Sequence, residues 1–262
     1  LVISGYFFDS LIYASIILVI FSLTKTFVFY YYFNLFNKNL KFSLKNFSKN
    51  TSLRLFKLSI GHFTDLMSNT LKNSGLIVLI GYFFNANLVA FISTAKTLFY
   101  FFPLRFFNTL DSVSLYEYAK DFSSRNILKL KNNHKKHIFL VTLMGIIFIL
   151  ASILVGPYLY NLWLSGKFDI NLLILLIIIL DVFLIVIRNS FVIILRATNI
   201  MFGIGIAELI LALMTILMSY YFFTLGHKIE ISLLIILIGS FISLLLSIFL
   251  VKKFYNNKLN KF

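Results

Sequence analysis

Two stretches of this chain, 138–160 (IFLVTLMGIIFILASILVGPYLY) and 231–251 (ISLLIILIGSFISLLLSIFLV), contain no charged residue. About 20 apolar residues in helical form are enough to cross the hydrocarbon core of a bilayer. In that core only α-helices and closed barrels satisfy every backbone polar group. Barrel strands alternate in polarity over about ten residues. The runs here are continuous and about twice that long, so helices are expected. The chain is 60% hydrophobic and 13% charged, with mean hydropathy +0.94. A water-soluble domain carries about 25% charged residues. The expected fold is therefore all-α: a polytopic bundle of about seven spans near 11–33, 61–84, 88–113, 138–160, 172–195, 200–223 and 231–251.

If these spans alternate in direction, the basic residues fall on one side. Lys38, Lys41, Lys45, Lys49, Arg54 and Lys57 occupy 34–57, and Lys120, Arg125, Lys129, Lys131, Lys135 and Lys136 occupy 119–137. Arg196 and the tail residues Lys252, Lys253, Lys258 and Lys261 join them, against only Lys167 and Lys228 opposite. Such asymmetry places the basic side and the C-terminus in the cytoplasm, in a multi-pass protein of the cytoplasmic membrane. It also accounts for most of the net charge of +15 without nucleic-acid binding, and lets the loops touch anionic lipid head groups. Connections on the other side are short: 85–87, 161–171 and 225–230. The chain opens at Leu1 on an apolar run, LVISGYFF, without the basic start or cleavage site of a signal peptide. Further spans are expected upstream.

Chemistry that the sequence disfavours is as informative. There is no cysteine, so disulfides and thiolate metal sites are excluded. His134 and His137, in a lysine-rich stretch without a third ligand, read as solvated loop residues, and no metal or cofactor is expected. No catalytic arrangement stands out, so the chain reads as a non-enzyme. Gly203 and Gly205 lack the third glycine and preceding strand of a phosphate loop, and read as sites of close helix packing.

Charges within the spans point to function, because each costs about 2.5–3.5 kcal/mol at a helix centre and normally faces a cavity or partner. Lys72 and Lys96 lie roughly 18 Å and 13 Å from the outer ends of their helices, too deep to reach an interface easily. Lys25, Arg105 and Arg188 lie nearer the cytoplasmic ends, where long side chains snorkel. Asp65, Asn69 and Lys72 follow i, i+4, i+7 spacing and share a face. Ser93, Lys96, Thr97, Tyr100, Asn108 and Ser112 form a looser stripe on the next helix. Two polar faces on adjacent antiparallel helices suggest a hydrated cavity; an Asp65–Lys72 or Lys96–acid pair would instead simply join helices. Pro103 should kink its helix and suits a gate. Asp181 and Glu208 sit near mid-depth. Arg188 pairs with one of them, or a protonatable carboxylate couples transport to ions.

Three segments carry a family resemblance. TLKNSGLIVLIGYFFNANLVAFISTAK (70–96) is a helical pair with a very short outer turn. YEYAKDFSSRNILKLKNNHKKH (116–137) is a basic loop leading into an apolar span. GPYLYNLWLSGKFDIN (156–171) places Pro157, Trp163 and Asp169 in the next outer turn. Together they resemble the C-terminal half of polysaccharide repeat-unit flippases, the oligosaccharide branch of the multidrug/oligosaccharidyl-lipid/polysaccharide exporter superfamily. The resemblance implies two six-helix bundles rocking about a central cavity. Residues 1–57 would then be the last helix of the first bundle plus a basic cytoplasmic linker, and 58–262 the second bundle with its tail. It further implies an undecaprenyl-diphosphate-linked oligosaccharide as substrate, moved outward for polysaccharide (O-antigen, lipopolysaccharide) biosynthesis beside other assembly proteins. Lys72, Lys96 and Arg105 would meet the diphosphate, with Asn69 and Tyr100 in the same cavity. A multidrug or cation antiporter of the same superfamily would favour acidic cavity residues instead, and Asp181 and Glu208 keep it open. A glycan polymerase or acyltransferase would need a larger outer loop or a His/Asp cluster.

Overall fold

In the computed structural model, residues 11–36, 48–164 and 171–259 are described, and every regular element among them is a helix. Lys38, Lys41, Lys45, Lys167, Asp169 and Lys261 lie outside the described residues. The chain divides into two compact units, 1–52 and 53–262. In the first, helix α1 (Leu11–Phe36) is 26 residues long, and its described side chains from Val19 to Phe36 are all exposed. Most of them are apolar.

The second unit is built on seven further helices. α2 begins in the first unit and runs through Lys49–Thr70, a π-helical turn Leu71–Gly75, and Leu76–Phe83. α3 runs through Ala86–Lys96, a second π-helical turn Thr97–Phe101, and Phe102–Ser123. Then follow α4 (Ile127–Leu154), the short α5 (Gly156–Leu164), α6 (Leu172–Ala197), α7 (Phe202–Thr224) and α8 (Ile229–Leu259). Among the described residues, five helices are long and apolar enough to cross a membrane: Ala86–Ser123, Ile127–Leu154, Leu172–Ala197, Phe202–Thr224 and Ile229–Asn257. This is a membrane-embedded helical protein. The expected spans 11–33 and 61–84 are helical but are not among those five. In 61–84, Asn69, Thr70, Lys72, Asn73 and Ser74 interrupt the apolar run.

Tight, locally encoded turns join the helices. Asparagine side chains cap three N-termini: Asn85 accepts from the Leu88 amide at 2.9 Å, Asn126 from Lys129 at 3.1 Å, and Asn171 from Leu173 and Ile174. Gly226 ends α7 in the left-handed region at φ 78°, and Asn199 ends α6 there at φ 56°, the two residue types that adopt it most easily. The expected span 138–160 is corrected by Pro157. Its missing N–H and its ring oppose helix continuation, and α4 stops at Leu154. The basic stretch 127–137 is helical rather than loop, because Asn126 caps α4 eleven residues before the expected start.

α6 is the axis of the second unit, packed by α3, α4 and α8, while α7 lies against α8 and the π-turn of α2. The core has two apolar clusters. One gathers Leu76, Ile80, Phe91, Phe99, Tyr160, Phe223 and Ile236 with Ile174, Leu175, Ile177, Ile178, Ile179, Val182 and Val186 of α6. The other gathers Tyr118, Leu130, Val192–Leu195 of α6, Met201 and Phe254. Between them α6 carries Arg188, Asn189 and Ser190, so a polar layer crosses the bundle. Outside, Phe139, Ile147, Leu150 and Leu217 are exposed, the inside-out pattern of a lipid-facing surface.

α2 and α7 meet at two glycines. A Cβ on Gly205 would strike the Gly61 carbonyl oxygen and the Thr64 hydroxyl, whereas one on Gly203 would meet nothing within 4 Å. Close packing therefore rests on Gly205, not on both. Gly205→Ala should lower stability by about 1–3 kcal/mol through overpacking. Gly203→Ala should raise it by about 0.5–1 kcal/mol through helix propensity. Thermal unfolding in detergent measures both, and equal shifts would refute the contact.

Candidate functional site

The polar layer is organised by four buried ions on three helices. Asp65 of α2 accepts from Arg188 Nη2 of α6 at 2.7 Å and from Arg196 Nη2 at 2.9 Å. Arg188 also lies 3.3 Å from Glu208 of α7. Glu208 is 3.2 Å from Lys72 Nζ and accepts from the Ser243 hydroxyl of α8. Asp65, Lys72, Arg188 and Glu208 are all buried. Each carboxylate holds two cations, which is how a low-dielectric interior tolerates such charges.

Several sequence expectations are resolved by this geometry. Of the two partners left open for Arg188, Glu208 is the one within ion-pair distance. Asp65 pairs with Arg188 and Arg196 rather than with Lys72, because α6 faces it. Arg196, expected as a loop charge, is half-buried in this pair. His134 and His137 are corrected as well: neither is a solvated loop residue, since α4 has already begun. His134 is buried, its Nε2–H donating to the Ser190 carbonyl while Nδ1 accepts from the Tyr255 hydroxyl, both at 2.9 Å. His137 Nε2 donates to Asp111 at 2.8 Å. Among the described residues no three His, Asp or Glu side chains are grouped to hold a metal.

Beside the ion layer lies a cleft of about 430 Å³ between α2, α3 and α6. Its polar walls are Asn69, Asn73, Asn108, Asn189, Ser112, Tyr100, His62, Asp65, Asp111 and Arg196, with Leu66, Leu104, Leu115, Ile185 and Ile193 between them. Along the three helices the order runs from Asn73, Tyr100 and Ile185 at mid-helix to His62, Leu115 and Arg196 at the end bearing the basic segments. Asn189 donates toward Asn108 at 3.5 Å across the cleft. Carboxylates in the wall are occupied: Asp65 by two arginines, Asp111 by His137. What faces the space is mostly amide, hydroxyl and short apolar side chain.

The predicted site residues divide. Asn69 and Tyr100 line the cleft. Lys96 is buried behind it, its Nζ donating to Asn73 Oδ1 at 3.0 Å. Lys72 faces α7 and pairs with Glu208. Arg105 is exposed and is not among the cleft's lining residues. Pro103 is buried two residues after the π-turn Thr97–Phe101, so the irregularity of α3 has two causes at one place. Asp181 accepts from Ser240 at 2.6 Å, with no cation within 4.0 Å among the described residues. Sequence reasoning missed Asn73, Asn189, Ser240 and Ser243. The serines 240, 243 and 247 lie three and four apart on one face of an otherwise apolar helix, a signal present in the sequence.

Removing Glu208 should show how the layer is wired. Glu208→Leu leaves Lys72 buried without a carboxylate and should cost about 3–5 kcal/mol. Adding Lys72→Met should recover part of that, because the stranded charge is gone. Unfolding of the single and double variants in detergent tests the pair; a double variant no more stable than Glu208→Leu would exclude it. No family model, no curated protein and no solved structure matches this chain.

Proposed function

We propose that the chain is part of a flippase that moves undecaprenyl-diphosphate-linked oligosaccharide across the cytoplasmic membrane by alternating access. The observation that carries this reading is the cleft itself: a space of about 430 Å³ where amides and hydroxyls stand between leucine and isoleucine side chains, beside helices apolar enough to lie in lipid. Polar side chains in a membrane interior are costly, and a path for a polar group would account for so many of them around one space. The resemblance of 70–96, 116–137 and 156–171 to repeat-unit flippases supports the same conclusion. On this reading about seven spans are present, 58–262 is the second six-helix bundle of a two-bundle transporter, and the C-terminus is cytoplasmic. Irregular turns in α2 and α3, with Pro103, are where such a bundle bends.

The division of labour differs from a simple cationic cavity. Lys72 is neutralised by Glu208 and acts as a strut, so the glycan, rather than the diphosphate, occupies the cleft. The diphosphate meets the basic cytoplasmic segments. A second reading, a cation antiporter of the same superfamily, draws on Asp181, a buried carboxylate that accepts from Ser240 and has no cation within 4.0 Å among the described residues.

The test uses the full-length gene in a bacterium whose own repeat-unit flippase is deleted, with lipid-linked oligosaccharide reaching the outer leaflet as the readout. Translocation should be restored. Asn108→Leu, which removes a cleft amide while leaving both members of every ion pair in place, should lower it about tenfold at equal membrane expression. Drug efflux without glycan translocation would move the assignment to the antiporter.

A further inference from the structure

At the mid-helix end of the cleft, hydrogen bonds run in one direction. A lysine ammonium only donates, so Lys96 fixes the orientation of the amide it meets: Asn73 turns Oδ1 toward Lys96 Nζ at 3.0 Å. Its Nδ2 then donates to the Asn69 carbonyl at 3.0 Å and to the Tyr100 hydroxyl oxygen at 3.0 Å. Tyr100 is thereby an acceptor from the protein. Its own proton has no acceptor within hydrogen-bonding distance among the described residues, and Tyr100 lines the cleft. Both π-turns meet here, since Asn73 lies within Leu71–Gly75 and Tyr100 within Thr97–Phe101.

We propose that Tyr100 is the donor that recognises a neutral oxygen of the carried group, a sugar hydroxyl or acetamido carbonyl, and that Lys96 strengthens this donor through Asn73. The inference rests on the cleft being the path of the glycan. Consecutive hydrogen bonds polarise one another, and a buried cation at the head of the chain increases the effect at its end. Lys96, 3% exposed, has no carboxylate within 4.0 Å among the described residues and lies 5.4 Å over the Tyr100 ring. Asp181 lies close enough to act electrostatically on both Lys96 and Tyr100, so this end of the cleft offers a strong donor without a net positive charge. Arg196, the cation in the cleft wall, is held by Asp65. That combination suits a neutral oxygen better than a phosphate. Lys96 and Asn73 are positioning residues, and Tyr100 makes the contact.

The test measures saturation-transfer NMR on the full-length protein in nanodiscs, with N,N′-diacetylchitobiose, cellobiose and inorganic pyrophosphate as probes. A neutral disaccharide should bind, and Leu104→Trp, which fills the cleft, should abolish the signal. Tyr100→Phe should weaken binding about tenfold. Lys96→Met should weaken it severalfold in the wild-type background and not at all in Tyr100→Phe, a coupling that general loss of structure would not produce. 3-Fluorotyrosine at position 100, a stronger donor of nearly the same shape, should tighten binding and keeps the test decisive if Tyr100→Phe fails to fold. Binding that Leu104→Trp blocks but Tyr100→Phe leaves unchanged would overturn the relay and spare the cleft. No disaccharide binding, or binding insensitive to Leu104→Trp, would overturn the glycan path itself. Preference for pyrophosphate, lost with Lys96→Met, would replace the neutral site by an anionic one.

Discussion

The guanidinium of Arg188 joins Asp65 of α2 and Glu208 of α7 from the centre of α6, at 2.7 Å and 3.3 Å. Lys72 and Arg196 complete the two carboxylates, and Ser243 brings α8 to the same cluster. In a low-dielectric interior such a set is cohesive only when every member is present. Most helix packing elsewhere is apolar, whereas this layer ties particular helix faces together by charge.

That layer also sets the character of the cleft. Because the arginines and Lys72 are matched to carboxylates, the cleft wall carries its charges as pairs, beside amides, hydroxyls and apolar side chains. Asn69 and Asn73 on α2, Asn108 on α3 and Asn189 on α6 then face a common space. Glycines at 61 and 205 hold α7 tightly against the far side of α2, so Glu208 reaches Lys72 and keeps it away from the cleft. A lysine that sequence spacing places on the same face as Asn69 is turned aside where the π-turn begins at Leu71.

The two π-turns connect this geometry to motion. Each interrupts regular i→i−4 bonding at mid-helix, and in α3 Pro103 follows within two residues. Helices bend most easily where the hydrogen-bond ladder is already altered. The contact between Asn73 and Tyr100 bridges both irregular turns, so bending either helix changes the cleft's deepest polar group. Binding at that group and bending of the bundle are thereby coupled through the same few residues.

Much of this was legible in the sequence, for a clear physical reason. Uninterrupted apolar runs such as 231–251 leave the backbone no solution but helices. The cost of charge in an apolar interior singled out Lys72, Lys96, Arg188 and Glu208 as residues needing partners, and the spacing of Asp65 and Asn69 pointed to a polar face. Periodicity along one helix, however, carries no information about which neighbour that face meets. Only the tertiary structure decided that Asp65 takes two arginines, that Lys72 turns to Glu208, and that Arg105 stays exposed. It also decided that His134 is buried against Ser190 and Tyr255, and that four asparagines from three helices share one cleft. These are contacts between residues up to 136 positions apart, set by the rotation and depth of each helix against the next.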